Sequence, residues 1–245
     1  MSNMFTSYIT IIVQKVSKGA SKYLKKHLVG TSNIKRMIYY MINSKNLVDL
    51  YEYSQGLIRV DMQYYKQGLP GSINVAYVRH EVADMLMQSA QSLPNGIYLK
   101  VWDAWRTFET QKHLYDTYFC DLKDKHPELS DGDILILTRE FVSNPYDYQY
   151  LHGTGGAVDV TLVDMNGNDL DMGTIFDDFS DKANTNYFSK SNSSIHNNRE
   201  MLLRAMLAAG FVNFSNEWWH YDYGDKLWAT TTGSTPLYNV ISTCK

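Results

Sequence analysis

The chain has 245 residues, 44% of them hydrophobic and 20% charged, a composition that excludes disordered, collagen-like and coiled-coil proteins and allows a sizeable core. A formal charge of −3, from 23 Lys/Arg and 26 Asp/Glu, argues against a nucleic-acid partner. Two cysteines, Cys120 and Cys244, without Cys-x-x-Cys spacing are too few for a secreted disulfide framework and favour a reducing, cytoplasmic compartment.

Charge is unevenly distributed. Residues 1–48 carry eight Lys/Arg and no acid, which leaves residues 49–245 with a net charge of −11. Residues 1–45 are therefore read as a basic N-terminal extension and 46–245 as a single domain, since 15 glycines and 5 prolines leave no room for a long linker. Within the extension, Phe5, Ile9, Ile12, Val13, Val16, Tyr23 and Leu24 recur at loosely helical spacing with lysines between them. Two readings stand: an accessory arm, or a weak contact with an anionic membrane surface. Tyr8–Val13 is too short to span a bilayer, and no cation precedes it as a signal peptide requires.

Along the body, Val82, Met85, Leu86, Ala90 and Leu93 mark a helix stopped by Pro94, Asn95 and Gly96. Ile97–Trp102 reads as a strand that delivers Asp103 to Arg106. A second helix starts at Phe108 and is expected to bury Leu114, Tyr115, Tyr118 and Phe119. Residues 121–150 read as polar surface, apart from the unassigned run Ile134–Leu137. Ala157–Val163 reads as a strand, and Asn166-Gly167 as the turn of a hairpin leading to the Leu170 region. A polar loop is expected over 177–198, then a helix with Leu202, Leu203, Met206 and Leu207 facing the core and Gly210 ending it, then a strand over Trp218–Tyr223. Strands and helices without a regular βαβ rhythm imply an α+β fold, a small mixed or antiparallel sheet with flanking helices.

Three segments carry the chemical signal. In His152-Gly-Thr-Gly-Gly-Ala-Val-Asp159 a histidine and a carboxylate flank a glycine turn. In Glu217-Trp-Trp-His220 a carboxylate precedes a third zinc-type ligand, although on a strand the two would face opposite sides unless the backbone turns. Arg106 places a fixed cationic fork after a strand end. Singly, each has an ordinary structural explanation. Together, two His and one Asp make the three-ligand set of an open catalytic zinc site, with Glu217 as base and Arg106 as oxyanion stabiliser.

The segments Tyr150–Asp159, Glu217–Tyr221 and Trp102–Arg106 resemble those of the VanX-type zinc D-alanyl-D-alanine dipeptidases of peptidase family M15. The resemblance extends to Val60–Tyr64, Asp171–Asp177 and Asn198-Arg199 with the helix that follows, covering roughly residues 46 to 225. It implies a hedgehog/DD-peptidase-like zinc fold and one Zn²⁺ per chain on His152, Asp159 and His220. Glu217 would be the catalytic base, Arg106 the stabiliser of the tetrahedral intermediate, and Asp177 with Tyr64 the holders of the dipeptide's ammonium. Departures from the family pattern are Tyr150 in place of a serine, Thr107 in place of a proline that would fix the turn, and no recognisable Asn-Phe-x-Gly within 65–75. Two alternatives to a dipeptidase remain: a zinc D,D-carboxypeptidase acting on longer peptidoglycan peptides, and a non-catalytic zinc-bearing binding module of the hedgehog type. Nutritional recycling of wall dipeptides and glycopeptide resistance would need the same chemistry.

Overall fold

The computed structural model describes residues 47–147, 150–190 and 193–241; the basic arm, the helix expected in it and Cys244 lie outside the described residues. Asn46–Lys245 makes one unit, and its class is α+β, as the sequence implies. In chain order the regular elements are β1 (Leu47–Asp49), α1 (Leu50–Ser54), β2 (Arg59–Val60), α2 (Gln63–Lys66), β3 (Tyr77–Arg79) and α3 (His80–Ser92). Next come β4 (Ile97–Asp103), α4 (Phe108–Lys125), α5 (Asp131–Phe141) and β5 (Ala157–Asp164), then α6 (Ser194–Ala208), β6 (Val212–Asn213), β7 (His220–Asp222) and α7 (Lys226–Thr232). Strands β1 and β3 form an antiparallel pair; the main sheet has the order β2-β4-β5-β7-β6, parallel only between β2 and β4.

Alternation along β5 divides the two faces of the sheet. Val158, Val160 and Leu162 join the hydrophobic core, where Leu86 of α3 and Leu202 and Met206 of α6 are also fully buried. Asp159 and Thr161 take the opposite face. Strand β4 pairs Val101 with Val160 but Asp103 with Asp159, so the register slips by one between them. Without that bulge Asp103 would pair with Val158 on the core face; with it, the carboxylate is turned to the face that carries Asp159.

Several expectations are corrected. Residues 121–150 are not plain surface: Ser130 caps α5 by accepting from the Asp133 amide, and Ile134 and Thr138 bury against the fold while Ile136 stays exposed. Gly132 sits in the first turn of α5, so reading it as a breaker hides the helix. On α4 only Tyr115 of the four expected residues is buried; Leu114, Tyr118 and Phe119 are half-buried. The Asn166-Gly167 turn forms, with a single bridge from Val163 to Asp169, but Leu170 starts no regular strand. Helix α6 begins at Ser194, capped by Ser193, and its Leu207 is exposed. The strand expected over Trp218–Tyr223 is confined to His220–Asp222, because Trp218 and Trp219 lie in a turn. Thr107 does not loosen its turn: its hydroxyl accepts from the Thr110 amide and caps α4.

Candidate active site

Sheet register and one turn build the metal corner. Asp159 and His220 are direct cross-strand partners on β5 and β7, so their side chains leave the same face. His152 comes from a short 3₁₀ turn, Leu151–Thr154, closed by Gly155 at φ 73°, a left-handed conformation that favours glycine. The donor atoms of all three residues lie within 4.8 Å of one another. His152 Nε2 is 3.2 Å from His220 Nδ1 and 3.4 Å from Asp159 Oδ2, and His220 Nδ1 is 2.9 Å from Asp159 Oδ1. Tetrahedral ligands held about 2.1 Å from a zinc ion stand roughly 3.4 Å apart. The donor set fits that ion in both chemistry and spacing.

The partners on the far side of each imidazole select the ligating nitrogen. His152 Nδ1 is 2.8 Å from the Ala104 carbonyl, which can only accept, so Nδ1 carries the proton and Nε2 keeps its lone pair. His220 Nε2 is 3.1 Å from Asp222 Oδ1, leaving Nδ1 to face the corner. Burial alone would raise the Asp159 carboxyl, but facing His152 and His220 holds it below the usual carboxylate range.

Glu217 reaches the same cleft because the chain turns. The His220 amide donates to the Glu217 carbonyl (3.2 Å), the Glu217 amide to Phe214 (3.0 Å), and the Asn213 side-chain amide braces both the Glu217 and His220 carbonyls. The strand rule that separates positions three apart therefore does not apply, and Glu217 lines the cleft with His220. Burial, reinforced by Asp159 and Asp177 and opposed by His220, pushes its carboxyl up to about 8. Arg106 is buried at the same cleft; its Nε and Nη2 donate to Asp103 Oδ2 and its Nη1 to Gln111 Oε1, with Nη2 3.7 Å from Asp159 Oδ2. Burial opposes its charge, but Tyr64, Asp103 and Asp159 more than offset that and keep it protonated.

The other expected pair also meets. The Tyr64 hydroxyl donates to Asp177 Oδ1 at 3.2 Å, and its ring lies under the Arg106 guanidinium. Asp177 has φ 59°, strained for a residue with a Cβ. Its loop is held there by Phe176, packed among Tyr64, Trp102 and Trp219, and by buried Arg199, which donates to the Met172, Lys182 and Asn184 carbonyls. Burial, with Asp159 nearby, pushes the Asp177 carboxyl up to about 7.

The whole cleft is about 490 Å³ in volume, and beyond these residues it runs between α4 and α5 past Tyr118, Phe141 and Phe179, whose ring centroids are 4.8–6.1 Å apart. Tyr150, where the family has serine, packs its ring so closely on Gly153 that a Cβ there would come within 2.3 Å of it. Sequence reading missed Asp103, Gln111, Asn213 and Asp222 as supports. Asp222 had a signal, since it follows His220 by two on a strand and so shares its face. Gln111 had none.

The family model described as D-ala-D-ala dipeptidase, Peptidase M15, matches residues 72–237. A D-alanyl-D-alanine dipeptidase of Synechocystis is 31% identical over 154 residues, covering 53% of this chain and 60% of that protein. One of Escherichia coli is 39% identical over 128 residues, covering 52% of this chain and 56% of that protein. The chain thus spans less than two thirds of either relative's length. A solved structure of VanYB in complex with D-alanine-D-alanine aligns with 68% of this chain and 84% of its own at 19% identity, with a TM-score of 0.41.

Proposed function

Because this chain belongs to the D-ala-D-ala dipeptidase family, peptidase family M15, we propose that it is a zinc-dependent hydrolase of the D-alanyl-D-alanine dipeptide. The observation that carries this is the convergence of His152, Asp159 and His220 with Glu217, Arg106 and the Tyr64–Asp177 pair on one cleft. His152, Asp159 and His220 hold the zinc. When bound, zinc supplies a Lewis acid and makes water nucleophilic near neutral pH. Glu217 takes the proton of the attacking water and passes it to the nitrogen of the departing D-alanine, the general base becoming the general acid. Arg106 faces the oxygen on which negative charge develops. Asp177 pairs with the substrate's ammonium while Tyr64 orients that carboxylate, so the scissile carbonyl is set one residue from a fixed charge.

The test is hydrolysis of D-Ala-D-Ala by zinc-reconstituted protein beside a longer peptide ending in D-Ala-D-Ala. Glu217→Gln should keep its zinc and lose about 10²–10⁴ in turnover; near-normal kcat in that variant would remove Glu217 from the mechanism. The carboxypeptidase reading is retained on one observation: a cleft of about 490 Å³ lies in the range of sites that take drug-sized ligands, leaving room beyond two residues. A binding module without catalysis has no need of a buried Glu217 and Arg106 beside the metal corner. Residues 46–245 are assigned here as the dipeptidase domain and 1–45 as an accessory basic extension. Sedimentation with anionic vesicles at low salt, released at high salt, would instead make that extension a membrane contact. Among the described residues no helix is long and apolar enough to cross a membrane, and the cysteine usage supports a cytoplasmic location.

A further inference from the structure

The last described residues, 237–241, fold back over the turn that carries His152. Leu237 and Tyr238 donate their amides to the Gly224 carbonyl, two residues beyond Asp222, at 2.7 and 2.9 Å. The Tyr238 hydroxyl donates to Glu81 (3.0 Å), and its ring lies under the Arg79 guanidinium. The Ile241 amide then donates to the Gly153 carbonyl at 2.8 Å, and the Ile241 carbonyl accepts from Trp105 Nε1 at 3.2 Å. Buried Arg79 completes the frame, donating Nε to the Thr154 carbonyl (2.6 Å), its backbone amide to Gly155 (2.9 Å) and Nη2 to the Asn239 carbonyl (2.9 Å).

Each of the three carbonyls that follow His152 is thus fixed, Gly153 by Ile241 and Thr154 and Gly155 by Arg79. The His152 carbonyl accepts from the Arg106 amide at 3.3 Å. All four anchors hold backbone carbonyls of the turn rather than its side chains, so they set where the turn lies and not what it carries. The family match ends at residue 237, so Tyr238 to Ile241 lie outside it.

We propose that residues 237–241 are a positioning strap that, with Arg79, holds the His152 turn in the geometry required to bind zinc. The proposal rests on the zinc reading of His152, Asp159 and His220. A turn free to shift by a fraction of an ångström would present Nε2 off the line to the other two donors, and loss of such outer supports typically weakens metal binding 10- to 100-fold. The strap acts through hydrogen bonds whose donors can be removed one at a time.

The test uses the full chain. Ile241→Pro deletes the amide that holds Gly153, Ile241→Ala keeps it, and Trp105→Phe removes the indole donor to Ile241 while keeping an aromatic ring. Zinc affinity is measured by competition with a chromophoric chelator, and the Tm of each metal-free protein is measured alongside. Zinc affinity should fall about 10- to 100-fold in Ile241→Pro, fall less in Trp105→Phe and stay near wild type in Ile241→Ala, with metal-free Tm little changed. Wild-type affinity in both Ile241→Pro and Trp105→Phe overturns the strap, as does an Ile241→Ala protein as weak as the proline variant. If Ile241→Pro does not fold, Trp105→Phe decides alone. A wild-type protein that binds no zinc refutes the underlying metal reading instead, so the two failures are distinguishable.

Discussion

The metal corner and the ammonium end open on one cleft, yet they are built by different means. At the metal corner, Asp159 and His220 are fixed by strand register and His152 by a glycine-closed turn, so backbone hydrogen bonds do most of the placing. At the ammonium end, Asp177 sits in an irregular loop at φ 59°, held by the Phe176 ring and by three carbonyls gathered on Arg199. A sheet tolerates little displacement without losing its ladder. A loop fastened by side chains can shift as a unit when one fastener goes. Changes at the first region should therefore be read in metal content, and changes at the second in substrate discrimination at full metal content.

The largest effect should come from breaking the first region outright. His220→Ala leaves two ligands where three are the minimum for a catalytic zinc site, so metal and activity should be lost together. Elemental analysis showing the same zinc content in His220→Ala and wild type would sink the ligand assignment.

Next in size is the second region. A buried carboxylate deprived of its ammonium partner costs a few kcal/mol, enough for discrimination of roughly 10²-fold against an N-acylated dipeptide. Asp177→Asn should lower kcat/KM on D-Ala-D-Ala by about that factor, bind zinc normally, and narrow the gap between the dipeptide and its N-acetyl form. Equal kcat/KM for the two substrates in wild type would instead promote the carboxypeptidase reading.

The same contrast explains what was legible beforehand. His152, Asp159, Glu217, His220 and Arg106 stand in short contiguous segments whose spacing is itself a signal, and the helix at 80–92 follows apolar periodicity and the Pro94-Asn95-Gly96 stop, whereas on the helix at 108–125 only Tyr115 of the four residues expected to bury does so. The approach of Glu217 depended on a turn where β-propensity suggested strand: Trp218 and Trp219 are β-formers, but both are buried in the core, and tertiary packing overrides propensity there. Helix α5, which forms the cleft wall, was hidden by polar residues and Gly132, because a helix lining a cleft need not show a continuous apolar stripe. The bulge that turns Asp103 toward Arg106 leaves no mark in the sequence, since it is a property of pairing between β4 and β5.

The last expected effect is read in stability rather than turnover and concerns protons. Burial raises Glu217 to about 8 and Asp177 to about 7, whereas in the unfolded chain such carboxyls titrate near 4. Between those limits the folded protein holds protons that the unfolded chain has released, so the free energy of unfolding must fall as pH rises. Each group's contribution is complete below its unfolded value and gone once pH passes its folded value. Metal-free protein should accordingly lose Tm steadily between about pH 4 and 8, because over that range the unfolded carboxyls have ionised while the native ones stay protonated, and the decline should level off once pH passes the folded values. Zinc sharpens the comparison: a divalent cation beside Glu217 favours its ionised form, so loading the metal should flatten the Glu217 share more than that of Asp177. Glu217→Gln and Asp177→Asn remove the titrating groups one at a time, and each should make the metal-free Tm less dependent on pH. Scans of Tm against pH in which both variants decline as steeply as wild type would show that neither carboxyl is protonated in the folded, metal-free protein.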